Sequence, residues 1–224
     1  MIAHGQGRGI WAAVVCSAAL ALAGCGADGT SSVYIPPANP APLVSGTVYA
    51  PNGQHINSEE SVSLSRVNPT VAAHGCPPIG VSPCVDPIPG GDGRTDPHTG
   101  TYRISNSALA DTNGDRLLIL VGGGDLLSRA FVFSCTTQPV VSCTANVDAW
   151  SEAVVRLVFD HLARTTAQLS DFSNENLGKI DYVARVLAGN VSGASVAEMN
   201  DNVYNWLAAS PTMQNCLKQP DQCH

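Results

Sequence analysis

In the stretch VSGTVYAPNGQ, residues 44–54, small or apolar residues alternate with polar ones. Val44, Gly46 and Val48 fall on one side of an extended chain and Ser45, Thr47 and Tyr49 on the other. That period of two is what a half-buried strand requires. Asn52-Gly53 then supplies a turn, since glycine accepts a positive φ without steric cost. The same grammar continues downstream. In SVSLSRV (61–67), Val62 and Leu64 alternate with serines. TGTYRIS (99–105) reads as a third strand, and RLLILVG (116–122) as a strand with apolar residues on both faces. RAFVFSC (129–135) and VVSCTA (140–145) complete the set. The Pro- and Gly-rich stretch 68–96 reads as a long loop. Short strands separated by turns predict an antiparallel sandwich over residues 43–145.

From Asn146 the period becomes helical. Trp150, Val154, Leu157, Val158 and His161 lie on one stripe, with Asp148 as its N-cap. Leu177, Ile180, Val183 and Leu187 form a second stripe, begun by Ser173 and ended by Gly189. SVAE (195–198) has the form of a capping box and opens a third helix, with Val196, Met199, Val203, Trp206 and Leu207 expected inward. Pro211 starts a last short helix. Residues 146–224 are therefore expected to form a small helical bundle, giving an α+β chain in which a sandwich precedes the helices. Trp150, Phe159, Phe172, Tyr182, Tyr204 and Trp206 are read as core residues of these helices.

Two resemblances add to this reading. The run VSGTVYAPNGQHI, then VSL, then TDPHTGTYRI resembles the carboxypeptidase regulatory-like family, a transthyretin-like (Ig-like) β-sandwich. Val44, Gly46, Val48, Pro51, Gly53, Thr95, Asp96, Gly100 and Tyr102 fit the family's pattern, with one extra residue between Asp96 and Gly100. The resemblance covers about residues 43–134. It implies a module without catalytic residues of its own, serving stability, surface display or binding. The chain departs from the family by its long insert before the TD hairpin.

The second resemblance concerns the N-terminus. Arg8 is followed by an apolar run from Gly9 to Leu22, too short to span a bilayer, which needs about 20 apolar residues. Leu22-Ala23-Gly24-Cys25 resembles the bacterial lipobox, which implies cleavage after residue 24 and acylation of Cys25. Each buried methylene contributes about 0.8 kcal/mol, so two or three acyl chains anchor where one would not. The bilayer is then the first partner, reached through the lipid. Residues 1–24 are the signal peptide. Residues 25–42, rich in Pro, Gly and Ser, are a tether. Gly26 is not the Asp that favours inner-membrane retention in the lipobox family. The expected place is thus the bacterial cell envelope, at the outer membrane if the host has one.

Composition excludes some partners. The 224 residues carry 11 Lys+Arg and a net charge of −7, and removing residues 1–24, with Arg8 and no acid, leaves −8. Such a chain does not suit nucleic acid. Beyond Cys25, six cysteines fall into three close pairs, Cys76/Cys84, Cys135/Cys143 and Cys216/Cys223. Six cysteines allow many connectivities, but export and these Pro-containing loops favour three local disulfides. Zinc sites prefer closer spacing, about two to four residues between paired cysteines.

No catalytic set emerges: no G-x-S-x-G elbow and no S-x-x-K pair. Neither a cofactor nor a resident metal is expected. Asp111, Asn113 and Asp115 are candidate calcium ligands, although the sixth and twelfth positions, Arg116 and Gly122, depart from a calcium loop. Asp160 and His161 point about 100° apart on a helix and do not form a dyad. Asn190-Val191-Ser192 has the form of a glycosylation sequon, read as chance. The leading expectation is a non-enzymatic, membrane-anchored binding or scaffolding protein. A glycan- or peptidoglycan-binding module, contacting through loop 69–94, and a hydrolase or peptidase accessory protein are the alternatives.

Overall fold

The alternation of residues 44–48 is realised in the computed structural model, which describes residues 43–67, 85–105, 116–123, 126–136 and 141–224. Cys25, Cys76, Cys84 and the candidate calcium ligands Asp111, Asn113 and Asp115 lie outside the described residues, as do the signal peptide and tether. Strand β1, Leu43–Thr47, buries Val44, and Val48 follows it into the core. Strand β4, Thr101–Ser105, runs antiparallel beside it with Gly46 opposite Tyr102. Strands β7 (Ser134–Thr136) and β8 (Ser142–Thr144) complete the first sheet in the order β4-β1-β8-β7. The β1–β8 pair is parallel, so the sandwich is mostly rather than wholly antiparallel.

The second sheet has the order β3-β2-β5-β6, from β2 (Ser61–Val67), β3 (Val85–Arg94), β5 (Leu117–Gly123) and β6 (Leu126–Val132). All its pairs are antiparallel. Strand β5 is central and apolar on both faces. Leu117, Ile119 and Val121 join the core between the sheets, while Leu118 joins the core beneath the helices. The layers are thus sheet, sheet, helices. The described body belongs to one compact unit, Asn39–His224.

The expected loop 68–96 is corrected over residues 85–94, which form β3. The stretch VDPIPGGDGR has poor strand propensity, but β3 is an edge strand that pairs only with β2, and an edge tolerates Pro87 and Pro89. Its register jumps: Ser63 faces Asp92, whereas Ser65 faces Pro87. The extra residues bulge opposite Leu64 and tuck Ile88 inward. Gly90 takes φ +71° in this bulge.

Four helices follow: α1 (Ala149–Arg164), α2 (Asn174–Ala188), α3 (Val196–Ala208) and α4 (Pro211–Lys218). Asp148 caps α1 by accepting from the Ser151 N–H at 2.8 Å, and Ser151 Oγ accepts in return from the Asp148 N–H at 3.0 Å. Ser173, Ser195 and Ser210 cap the other three helices. Glu198 does not close the expected box on Ser195; its carboxylate accepts from the Ala194 N–H instead.

Helix α1 is buried nearly all round, including Val155, Phe159 and Leu162, which lie off the stripe read from sequence. It lies under β6 and against α2 and α3, so no broad face meets solvent. Each fully buried aliphatic residue here contributes about 1.5–3 kcal/mol. The core reading of the helical aromatics is corrected for two of them. Trp206 is 59% exposed and Tyr182 66%. Trp206 sits one position from Leu207, which takes the inward place, and its indole N–H donates to the Leu187 carbonyl at 3.0 Å. The disulfides Cys135–Cys143 and Cys216–Cys223 close two of the three expected local rings.

Candidate functional site

Where the chain passes from β6 in the second sheet to β7 in the first, the sandwich edge and the helices leave a cleft of about 350 Å³. Its first wall is the β7–β8 hairpin. Ser134 and Thr144 face each other in register there, and Asn146 follows two residues on, so all three project to one face. The neighbouring register pair, Cys135 and Cys143, is the disulfide, which ties the hairpin shut. Asn146 Oδ1 accepts from the Thr47 N–H at 3.0 Å and fixes this wall to the end of β1. Among the described residues, the hydroxyls of Ser134 and Thr144 have no hydrogen-bond partner in the protein.

The opposite wall is charged and closed on itself. Arg185 of α2 donates to Asp148 at 2.6 Å and 3.3 Å, and to Asp181 at 2.8 Å and 3.3 Å. Helical spacing places Asp181 one turn before Arg185, and the N-cap position brings Asp148 beside both. Burial pushes the Asp181 carboxyl above its ordinary value, with the Asp148 charge adding to the rise and Arg185 opposing it. Phe131 and Phe133 make the apolar floor, and the absence of a side chain on Gly178 lets α2 lie against the Phe133 ring. This wall can hold a polar ligand, but it contains no serine or cysteine nucleophile within a base-assisted pair.

A second cleft, about 330 Å³, opens between the ends of α1 and α4 and the side of α3. His161, Arg164 and Lys218 rim it, in the last turns of α1 and α4, where cations offset the negative helix ends. Tyr204 donates to Asp160, which also meets Arg164 at 3.6 Å, and the Arg156 guanidinium lies 4.0 Å from the Tyr204 ring centre. Asp160 therefore serves Tyr204 and Arg164, and His161 packs edge-on against Phe172.

Burial, and secondarily the charge of Lys218, holds the His161 imidazole below its ordinary value of 6.5. The unfolded chain then binds the proton more readily than the folded one. His161 leaves the folded state unpenalised above pH ~6.5, and stability is lost as pH falls below that value and through the lower folded one. His161→Gln is accordingly expected to flatten the decline of the urea midpoint between about pH 7 and pH 5. An equally steep decline in the variant would count against this role.

Elsewhere the polar groups have structural partners or lie apart. Glu59 pairs with Arg94 at 2.8 Å, and Glu60 accepts from Ser58. Strands β5 and β6 pair antiparallel as far as Gly123 and Leu126. Asn190 is exposed after α2. Among the described residues no group of three or more His, Cys, Asp or Glu side chains is placed to hold a metal ion.

Sequence reading missed the first cleft because its members span residues 130–185 without a repeating interval. The one available signal was the Asp181/Arg185 spacing, shared by many surface helices. Compared with protein-family models, with curated proteins and with solved structures, the chain matches none.

Proposed function

We propose that this chain is a bacterial lipoprotein, anchored through acylated Cys25, that carries a non-catalytic binding body at the cell envelope. The observation that carries the reading is the conjunction of the Leu22–Cys25 motif with disulfides inside the folded body. Short-range disulfides persist in oxidising compartments, which is where an acylated, exported chain resides. The Pro-rich residues 26–42 supply the spacer between anchor and body. No helix among the described residues is long and apolar enough to cross a membrane.

The finer fold is read as transthyretin-like. Its support is that the motif residues do structural work together. Gly53 and Gly100 take φ +75° and +62°. Thr95 Oγ1 accepts from the Glu60 N–H and donates to the Ser58 carbonyl, joining the β2 entry to the TD hairpin. Asp96 accepts from the N–H groups of His98 and Thr99 and so shapes that hairpin.

Binding rather than catalysis is favoured by the internally paired wall of the first cleft, where Arg185 already engages both carboxylates. The experiment is membrane partitioning. Cys25→Ala is expected to move the protein from the pelleted membrane fraction to the soluble envelope fraction. Retention of the variant in the pellet, after carbonate washing, would refute lipid anchoring.

A further inference from the structure

The cleft between the β7–β8 hairpin and α2 points to a specific ligand class: we propose that it binds a neutral carbohydrate, one or two sugar rings in size. This rests on the binding reading above and goes further by naming what is bound. A volume of about 350 Å³ is at the small end of ligand pockets, which excludes a long polymer lying wholly within it.

The chemistry of the walls selects the class. Ser134 and Thr144 stand side by side with hydroxyls that have no protein partner among the described residues, each able to donate and to accept. Asn146 uses its Oδ1 on the Thr47 N–H and keeps its amide N–H₂ for a ligand. Across the cleft, Arg185 spends four of its hydrogen bonds on Asp148 and Asp181, leaving one N–H, while the carboxylate oxygens retain acceptor capacity. Paired donors and acceptors on facing walls match vicinal hydroxyls. The half-buried Phe133 ring, with the buried Phe131 beneath, offers an apolar surface for the C–H face of a pyranose.

Charge excludes the competing classes. Two carboxylates and one guanidinium leave the wall at about −1, partly offset because Asp148 caps the positive end of α1. Phosphate or carboxylate ligands are repelled there. A cationic ligand is the remaining rival, and it differs from a sugar in its salt dependence.

The test uses the full chain, solubilised in a detergent without a sugar headgroup. Amide chemical shifts are followed as cellobiose, maltose or di-N-acetylchitobiose is added, with lysinamide as the cationic probe. The expected result is that at least one disaccharide perturbs the amides of Ser134, Thr144, Asn146 and Asp181, with an affinity unchanged at high salt. The double variant Ser134→Ala, Thr144→Val removes two exposed hydroxyls without touching the core, and should weaken that binding by about tenfold or more. Absence of a response to all three sugars overturns the proposal. So does a response to lysinamide alone that collapses with salt, or sugar binding that the double variant leaves unchanged. Partitioning of Cys25→Ala is independent of these outcomes, so failure of the ligand class and failure of the anchor are told apart.

Discussion

Glu152→Ala is expected to destabilise the folded body by about 3–5 kcal/mol, the cost of leaving one partner of a buried ion pair without the other. Glu152 is fully buried in the first turns of α1, and it receives the Arg129 guanidinium at 2.7 Å and 3.0 Å in a two-pronged contact. Arg129 itself lies on β6, 14% exposed along its side chain, and approaches the Phe159 ring. The pair therefore ties the second sheet to the central helix, beside the Ser151 hydroxyl that donates to the Arg129 carbonyl at 3.0 Å. Deleting the carboxylate strands a guanidinium where water cannot reach it freely. A matched replacement, Arg129→Met with Glu152→Leu, removes both charges and is expected to recover most of the loss, because the desolvation of the pair offsets much of its attraction. Urea denaturation of the three proteins decides it. A single variant within about 0.5 kcal/mol of the parent, the usual range for an exposed site, would contradict the buried placement of Glu152.

That pair also marks where sequence reading stops. Val44, Val48, Val62 and Leu64 are legible as inward positions because a strand with one wet face writes its burial as alternation. Strand β5 is legible as doubly buried because Leu117–Val121 contains no polar residue. The helix starts are legible because Asp148, Ser173 and Ser195 are side chains that bond the free N–H groups of a first turn. What is not legible depends on partners remote in sequence. Strand β3 runs through two prolines and three glycines, and only its edge position next to β2 makes it a strand. Glu152 reads as the acidic residue of a first helical turn until β6 brings Arg129 over it. Trp206 reads as core by its place three residues after Val203 on the helical stripe, yet the surface of α3 carries it while Leu207 turns inward. The candidate cleft is less legible still. Ser134, Thr144 and Asn146 form one wall only because the hairpin pairs them, and Asp181 and Arg185 form the other only because α2 packs beside the cap of α1.

Gly46→Ala is expected to cost about 3 kcal/mol, at the upper end of what overpacking costs in a filled core. The reason is a close approach rather than backbone conformation. A Cβ at residue 46 would stand 1.9 Å from the Ala145 carbonyl oxygen and 2.8 Å from the Tyr102 hydroxyl. Tyr102 is opposite Gly46 on β4, is 1% exposed, and donates its hydroxyl to that same carbonyl. Burial pushes its phenol far above the ordinary value, so it is protonated, and a donor, at neutral pH. The Ala145 N–H in turn donates to the Ser45 carbonyl at 3.0 Å, which holds the chain after β8 tightly to β1. The space above Gly46 is therefore filled by backbone that its own hydrogen bonds keep in place. This separates two explanations of the damage. If the hydroxyl were the obstacle, adding Tyr102→Phe would relieve it. Because the nearer obstacle is the carbonyl, the double variant Gly46→Ala, Tyr102→Phe should be no more stable than Gly46→Ala alone. It should be less stable by about 1–3 kcal/mol, since the buried carbonyl also loses its donor. Thermal unfolding of the parent, the two single variants and the double variant measures this coupling, and recovery in the double variant would overturn the assignment of the clash to the Ala145 backbone.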